Sequence, residues 1–181
     1  MFIYALLILL VLIALFAIGQ FNRLVRLRND AREAFSSIDV FLKQRYDLIP
    51  NLINTIKGYT AYESSTLEKI VQLRSQAMSA PAPEKGASEA ALAGALKSVF
   101  ALAENYPDLK ASQEFMHLQQ TLSGLEESIQ RARRYYNATV RDLNTAIESF
   151  PTNLIASSFG FHQMDYFDVP EQETQNVDVR F

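Results

Sequence analysis

The chain contains no cysteine, which excludes disulfides and thiolate metal sites and leaves the redox compartment unmarked. Glycine and proline are scarce, six of each among 181 residues, and β-branched runs are few, so little in the sequence favours sheet. Positive charge is short as well. The net charge is −3, and no long basic tract is present, the arginine segment after the first apolar run being brief. Nucleic-acid binding therefore has no electrostatic support. What remains is rich in Ala, Leu, Glu, Gln, Lys and Arg, the composition of long helices. The length allows one domain plus an apolar leading segment. The part after that segment is long enough to bury about two-thirds of its unfolded surface.

Residues 1–19 carry no side chain that is charged at neutral pH. As a helix they rise about 28 Å, close to a hydrocarbon core of about 30 Å. A transmembrane anchor is expected over residues 1–20, with Phe2, Ile3, Leu6, Leu10, Leu15 and Ile18 against lipid. A cleaved signal would bring a positive leading region and a small-residue cleavage site, and Gly19-Gln20-Phe21-Asn22 matches neither. Arg23, Arg26, Arg28 and Arg32 follow the run. By the positive-inside rule they place the N-terminus outside the cell (inner) membrane and the rest in the cytoplasm. Setting topology is the simpler role for these arginines; contact with anionic headgroups is the other.

Beyond them, Leu27, Ala31, Phe35, Ile38, Leu42, Tyr46, Ile49, Ile53 and Ile56 recur in steps of three and four, the helical spacing. The phase continues through Pro50, which predicts one long helix, kinked there, from the membrane to about residue 79. Including the span it would reach about 110 Å. The alternative has Asp47 capping a new helix with Pro50 in its first turn. Residues 79–86, with two prolines and a glycine, form a linker. Ser88 is then expected to cap a helix to about Glu104, carrying Leu92, Leu96, Val99, Phe100 and Ala103. Tyr106-Pro107-Asp108 breaks it. A second long stripe follows: Phe115, Leu118, Leu122, Leu125, Ile129, Ala132, Tyr136, Val140, Leu143, Ile147 and Phe150, with a stutter near Tyr136, ending at Pro151. The expected fold is all-α: a transmembrane helix continuing into an antiparallel bundle of three to four long helices over residues 21–169, and a solvated acidic tail over 170–181.

Ordered blocks along the chain carry a resemblance. They are Phe21-Asn22-Arg23-Leu24-Val25-Arg26-Leu27-Arg28-Asn29, Ile38-Asp39-Val40 with Lys43, and Arg45-Tyr46-Asp47-Leu48-Ile49-Pro50-Asn51-Leu52. Lys57-Gly58-Tyr59, residues 103–111 around Tyr106-Pro107-Asp108, Leu118-Gln119, Ala132-Arg133, Tyr136-Asn137, Phe150-Pro151 and Phe159-Gly160-Phe161 continue the series. The chain resembles the LemA family of bacterial membrane proteins. Phe35 and Tyr62 depart from the pattern, standing where tryptophan and histidine would be expected. The resemblance implies an N-terminal anchor, a helical bundle and no established reaction. Its magnetosome-membrane members imply a membrane-organising role.

No reactive constellation emerges from the residues. His117 flanks the second long stripe and His162 lies in a loop, both read as solvated. Glu114-Phe115-Met116-His117 has the Glu-x-x-His spacing once, whereas a di-iron bundle needs two copies. Glu126/Glu127 and Glu63/Glu68 are carboxylate pairs without convergent ligands. No cofactor is implied. Asp47, Asn51 and Asn54 on the first helix, and Arg133, Asn137 and Asn144 on the last, form polar stripes. If facing, they would make a buried network that fixes pairing. After Pro151, Phe159, Phe161, Tyr166 and Phe167 crowd a short stretch. It is expected either to fold over the bundle end or to pack on another copy. The leading functional expectation is a non-enzymatic scaffold at the membrane, a homo-oligomer with the lipid bilayer as partner and no nucleic acid. The alternative is an adaptor for a membrane protease or signalling partner.

Overall fold

The computed structural model describes residues 1–59 and 64–167. It contains six helices: α1 (Phe2–Tyr59), α2 (Ser64–Ser79), α3 (Ala82–Ala103), α4 (Pro107–Lys110), α5 (Gln113–Glu148) and α6 (Thr152–Ser158). Among the described residues there is no strand. Packing divides them into two compact units. One comprises Met1–Ser37 with Ala132–Tyr166, and the other Ile38–Arg131 with Phe167. Helices α1 and α5 contribute to both.

In the second unit four helices alternate in direction. The guanidinium Nε of Arg74 in α2 donates to the carbonyl of Tyr46 in α1 at 2.7 Å. Those residues would lie about 42 Å apart in one continuous helix, so α2 runs back along α1. The long helix expected to residue 79 is therefore corrected to a hairpin of two. The phase was misleading for a simple reason. Leu67 follows Ile56 by eleven residues, about three helical turns, so the apolar face reappears in register whether or not the chain reverses. The Ala80–Pro81 connection turns the chain again. Lys85 pairs with Asp39 at 3.3 Å and Glu89 with Arg45, so α3 runs parallel to α1. Phe100 stacks edge-on to Phe115, centroids 6.1 Å apart, while Glu126 reaches Arg45 at 2.6 Å. Helix α5 thus returns antiparallel to α3.

This is the up-down-up-down order that short connections favour. Its core is built from Ile38, Leu42, Ile49, Leu52 and Ile56 of α1, Leu67 and Ile70 of α2, Leu92, Leu96 and Val99 of α3, and Phe115, Leu118, Leu122 and Ile129 of α5, all buried. Helix α3 starts at Ala82, not at a cap on Ser88. The N–H of Glu84 bonds the Pro81 carbonyl at 3.0 Å. The first helical turn has no N–H partner to lose, so prolines are tolerated there, and Glu84 complements the positive helix start.

Pro50 sits inside α1, and the helix continues through it. Proline has no N–H, so the carbonyl four residues before it, that of Tyr46, lacks its helical donor. Arg74 supplies that bond from α2. A defect in one helix becomes the docking point of the next.

In the first unit α1 and α5 pair antiparallel. Phe35 meets Tyr136 edge-on at 5.4 Å, and Leu24 packs with Leu143, Ala146, Ala156 and Phe161. Residues preceding Ala17 are all exposed. Phe16, at 46%, is the least exposed large apolar side chain in that run. The start of α1 has a mean hydropathy of 3.0 over an 18-residue window, none of it buried. Among the described residues, α1 alone is long and apolar enough to cross a membrane.

Candidate functional site

The most unusual feature of the second unit is a buried arginine. Arg45 is 2% exposed and heads the fully buried side chains by volume. An unpaired guanidinium there would be prohibitive, since a buried ion costs several kcal/mol even after relaxation (about that order). Glu89 of α3 pairs with one terminal nitrogen, and Glu126 of α5 with the other at 2.6 Å. The Tyr46 hydroxyl donates to the second oxygen of Glu89. Burial pushes the Tyr46 phenol up to about 12. Arg45 and Arg74 oppose the shift and Asp39 adds to it. Tyr46 therefore keeps its proton to higher pH than a free phenol does.

One arginine therefore ties α1, α3 and α5 at a single level, with α2 attached one residue away through the Tyr46 carbonyl. Beside it lies a cavity of about 220 Å³ bordered by Ala93, Leu96, Lys97, Phe100, Leu122 and Ser123. Ligand pockets usually span roughly 300–1,000 Å³, and the guanidinium at this wall is already engaged by two carboxylates. The arrangement fixes register between helices. The sequence carries one signal for it. Arg45 stands three residues after Leu42 and four before Ile49, and Glu89 three before Leu92, so both charges occupy apolar register positions.

The expected polar network is corrected. Asp47, Asn51 and Asn54 are exposed, because Asp47 lies about 200° around the helix from Arg45 at about 100° per residue. Arg133 and Asn137 are half-buried, and Asn144 is buried. Asn144 donates to the Met164 carbonyl and accepts from the Met164 N–H, both at 2.9 Å. It pins the chain after α6 instead of a facing helix. Likewise the Tyr136 hydroxyl donates to the Asp165 carbonyl at 2.8 Å, and burial, with Asp165 nearby, raises its pKa.

Of the aromatic residues expected to mediate self-association, Phe161 and Phe167 are buried, while Phe159 and Tyr166 are exposed. Gly160, at φ +68°, explains Phe161. The N–H of Phe161 bonds the Ala156 carbonyl at 2.9 Å, closing α6 in the glycine-ended turn that brings the residue after the glycine back onto the helix. Phe161 thereby joins the Leu24 cluster, beneath the guanidinium of Arg28 at 4.9 Å. Phe150, expected on the core stripe, is instead 80% exposed, since α5 ends before it at Glu148.

The corner between α5 and α6 sits where the apolar run of α1 ends. The Thr152 hydroxyl donates to the Gln20 side-chain oxygen at 3.2 Å. Phe21 contacts Phe159 at 5.0 Å and Phe161 at 5.7 Å between centroids. Arg23 and Arg26 are exposed just beyond, and Arg28 is half-buried. His117, His162 and Glu114 are exposed, as are Glu68 and Glu127. Glu63, Tyr62 and the acidic tail from residue 170 lie outside the described residues. Among the described residues no cluster of three or more His, Asp or Glu forms a metal cradle.

The LemA family matches residues 34–181. Protein LemA of Metamycoplasma hominis is 30% identical over 167 residues, covering 90% of this chain and 75% of that protein. Magnetosome protein MamQ of Magnetospirillum gryphiswaldense is 25% identical over 175 residues, 82% of this chain and 64% of its own length. Magnetosome protein MamQ 2 of Paramagnetospirillum magneticum is 24% identical with the same coverage. The chain thus spans under two-thirds of the MamQ proteins. With the family match covering most of its length, and a LemA relative aligned across 90% of it, the chain belongs to the LemA family.

Proposed function

We propose that this protein is a non-enzymatic helical scaffold held in the cell (inner) membrane by the start of α1, with its bundle in the cytoplasm. It associates with copies of itself and organises the membrane or proteins within it. One observation carries the proposal. The exposed apolar run is the first part of the same helix whose later residues form the bundle core. Eighteen such residues in water would be untenable, and a bilayer is the solvent that accommodates them. The arginines after the run support the orientation. The buried charges support a structural role, since Arg45, Glu89 and Glu126 satisfy one another. Similarity to proteins named for the magnetosome fits a membrane-associated protein outside the enzymes.

Single-molecule mass measurement of detergent-extracted protein tests the assembly. Homo-oligomers, multiples of the 20.5 kDa chain, are expected. Monomers overturn self-association, and a fixed complex with another protein favours an adaptor.

A further inference from the structure

The α5–α6 corner has a surface that the first unit leaves uncovered. Phe150 is 80%, Leu154 59% and Phe159 63% exposed, a concentration of large apolar groups within ten residues that water does not favour. Its position identifies what covers it. The apolar run ends at Gly19 and is followed by Gln20, Asn22 and Arg23, which puts Gln20 at the border between acyl chains and headgroups. Thr152 is hydrogen-bonded to Gln20, and the Phe159 ring packs on Phe21, so the corner stands at that same level. Exposed Arg23 and Arg26 lie within two turns of Gln20 along α1, at headgroup depth. Glu148, the acid nearest the corner on α5, accepts a hydrogen bond from Gln163.

We propose that Phe150, Leu154 and Phe159 form a second membrane contact, inserted into the acyl–headgroup boundary of the leaflet facing the bundle. The occupant is lipid, because Thr152 and Phe159 hold the patch against Gln20 and Phe21, where the exposed apolar run of the span ends. The inference rests on the membrane-anchored reading above and deepens it. A span alone leaves a helix free to tilt and rotate, and tilt and rotation are set by neighbouring packing and interfacial side chains. A wedge of two phenylalanines and a leucine beside the span fixes both for the α1–α5 pair. It also adds cross-section to one leaflet only, as interfacial apolar groups do.

The chain has no tryptophan, so single-tryptophan variants report cleanly. Full-length Leu154→Trp, Phe150→Trp, Leu10→Trp and Tyr135→Trp are reconstituted in phosphatidylcholine–phosphatidylglycerol vesicles, with ordinary or brominated acyl chains. Tyr135 is 62% exposed and lies on α5 about 20 Å along the helix from its end at Glu148. The expected result is that Leu10→Trp, Leu154→Trp and Phe150→Trp are blue-shifted and lose emission to the brominated chains. Tyr135→Trp keeps its emission. Quenching at Leu10 with none at Leu154 and Phe150 overturns the second contact while leaving the anchor standing. A blue-shifted but unquenched Leu154→Trp also overturns it, showing protein and not lipid over the patch. An unquenched Leu10→Trp overturns the anchor, and the inference with it.

Discussion

Removing Arg74 has a cost that depends on a residue in another helix. Arg74 donates to the Tyr46 carbonyl at 2.7 Å because Pro50 cannot. Arg74→Ala deletes a hydrogen bond from a charged donor, worth about 1.5–3 kcal/mol, and leaves a carbonyl without its donor. Half-burial of Arg74 points to the lower end, about 1.5 kcal/mol. With Pro50→Ala the helical N–H returns and bonds that carbonyl in the ordinary way. Arg74→Ala in that background is expected to cost under about 0.5 kcal/mol, a coupling of about 1 kcal/mol, within the range for residues sharing a partner. Pro50→Ala alone is expected to stabilise, because proline disfavours a helix interior by about 3 kcal/mol. Urea unfolding of the four full-length proteins in detergent micelles, followed by circular dichroism, gives the cycle. Equal costs of Arg74→Ala in both backgrounds would refute the idea that Arg74 replaces the missing donor.

Four further substitutions draw on the same geometry. Glu89→Ala removes one partner of a buried arginine and is expected to cost about 3–5 kcal/mol. Glu127→Ala, which breaks the exposed pair with Arg131 at 3.6 Å, should cost under about 1 kcal/mol, and the same unfolding assay compares them. Tyr46 is raised from 10.0 to about 12, so the folded state retains its proton longer than the unfolded one. Its contribution is full below pH 10 and is lost as pH rises from 10 to about 12. Tyr46→Phe should flatten that part of an alkaline stability profile, and an unchanged slope would exclude Tyr46 as its source. Gly160→Ala forces a side chain into the left-handed region at a cost of about 1–2 kcal/mol. It should loosen Phe161, read as faster hydrogen exchange in α6.

Periodicity revealed most of the architecture and missed what periodicity cannot encode. Ile38, Leu42, Ile49 and Ile56 announced their buried face, as did Leu118, Leu122, Ile129 and Leu143, because helix register depends on local spacing alone. The reversal before α2 was hidden, since spacing defines a face and not a direction. Pro81 and Pro83 suggest a linker by composition, yet prolines are tolerated at a helix start, so α3 begins before Ser88. The buried cluster escaped because its partners are distant in sequence. Glu89 is 44 residues from Arg45 and Glu126 is 81 away, so only packing reveals the match. Conversely, Asp47, Asn51 and Asn54 looked like a network because polar residues also repeat at helical spacing on a solvated face.

The sidedness of α1 tests the central claim most directly. In a chain without native cysteine, Phe2→Cys at the outer end of the apolar run and Glu33→Cys beyond its other end give single thiols at exposed positions. With a membrane-impermeant maleimide on intact cells, Phe2→Cys is expected to label and Glu33→Cys only after lysis. Labelling of Glu33→Cys in intact cells would contradict a cytoplasmic bundle anchored by this helix.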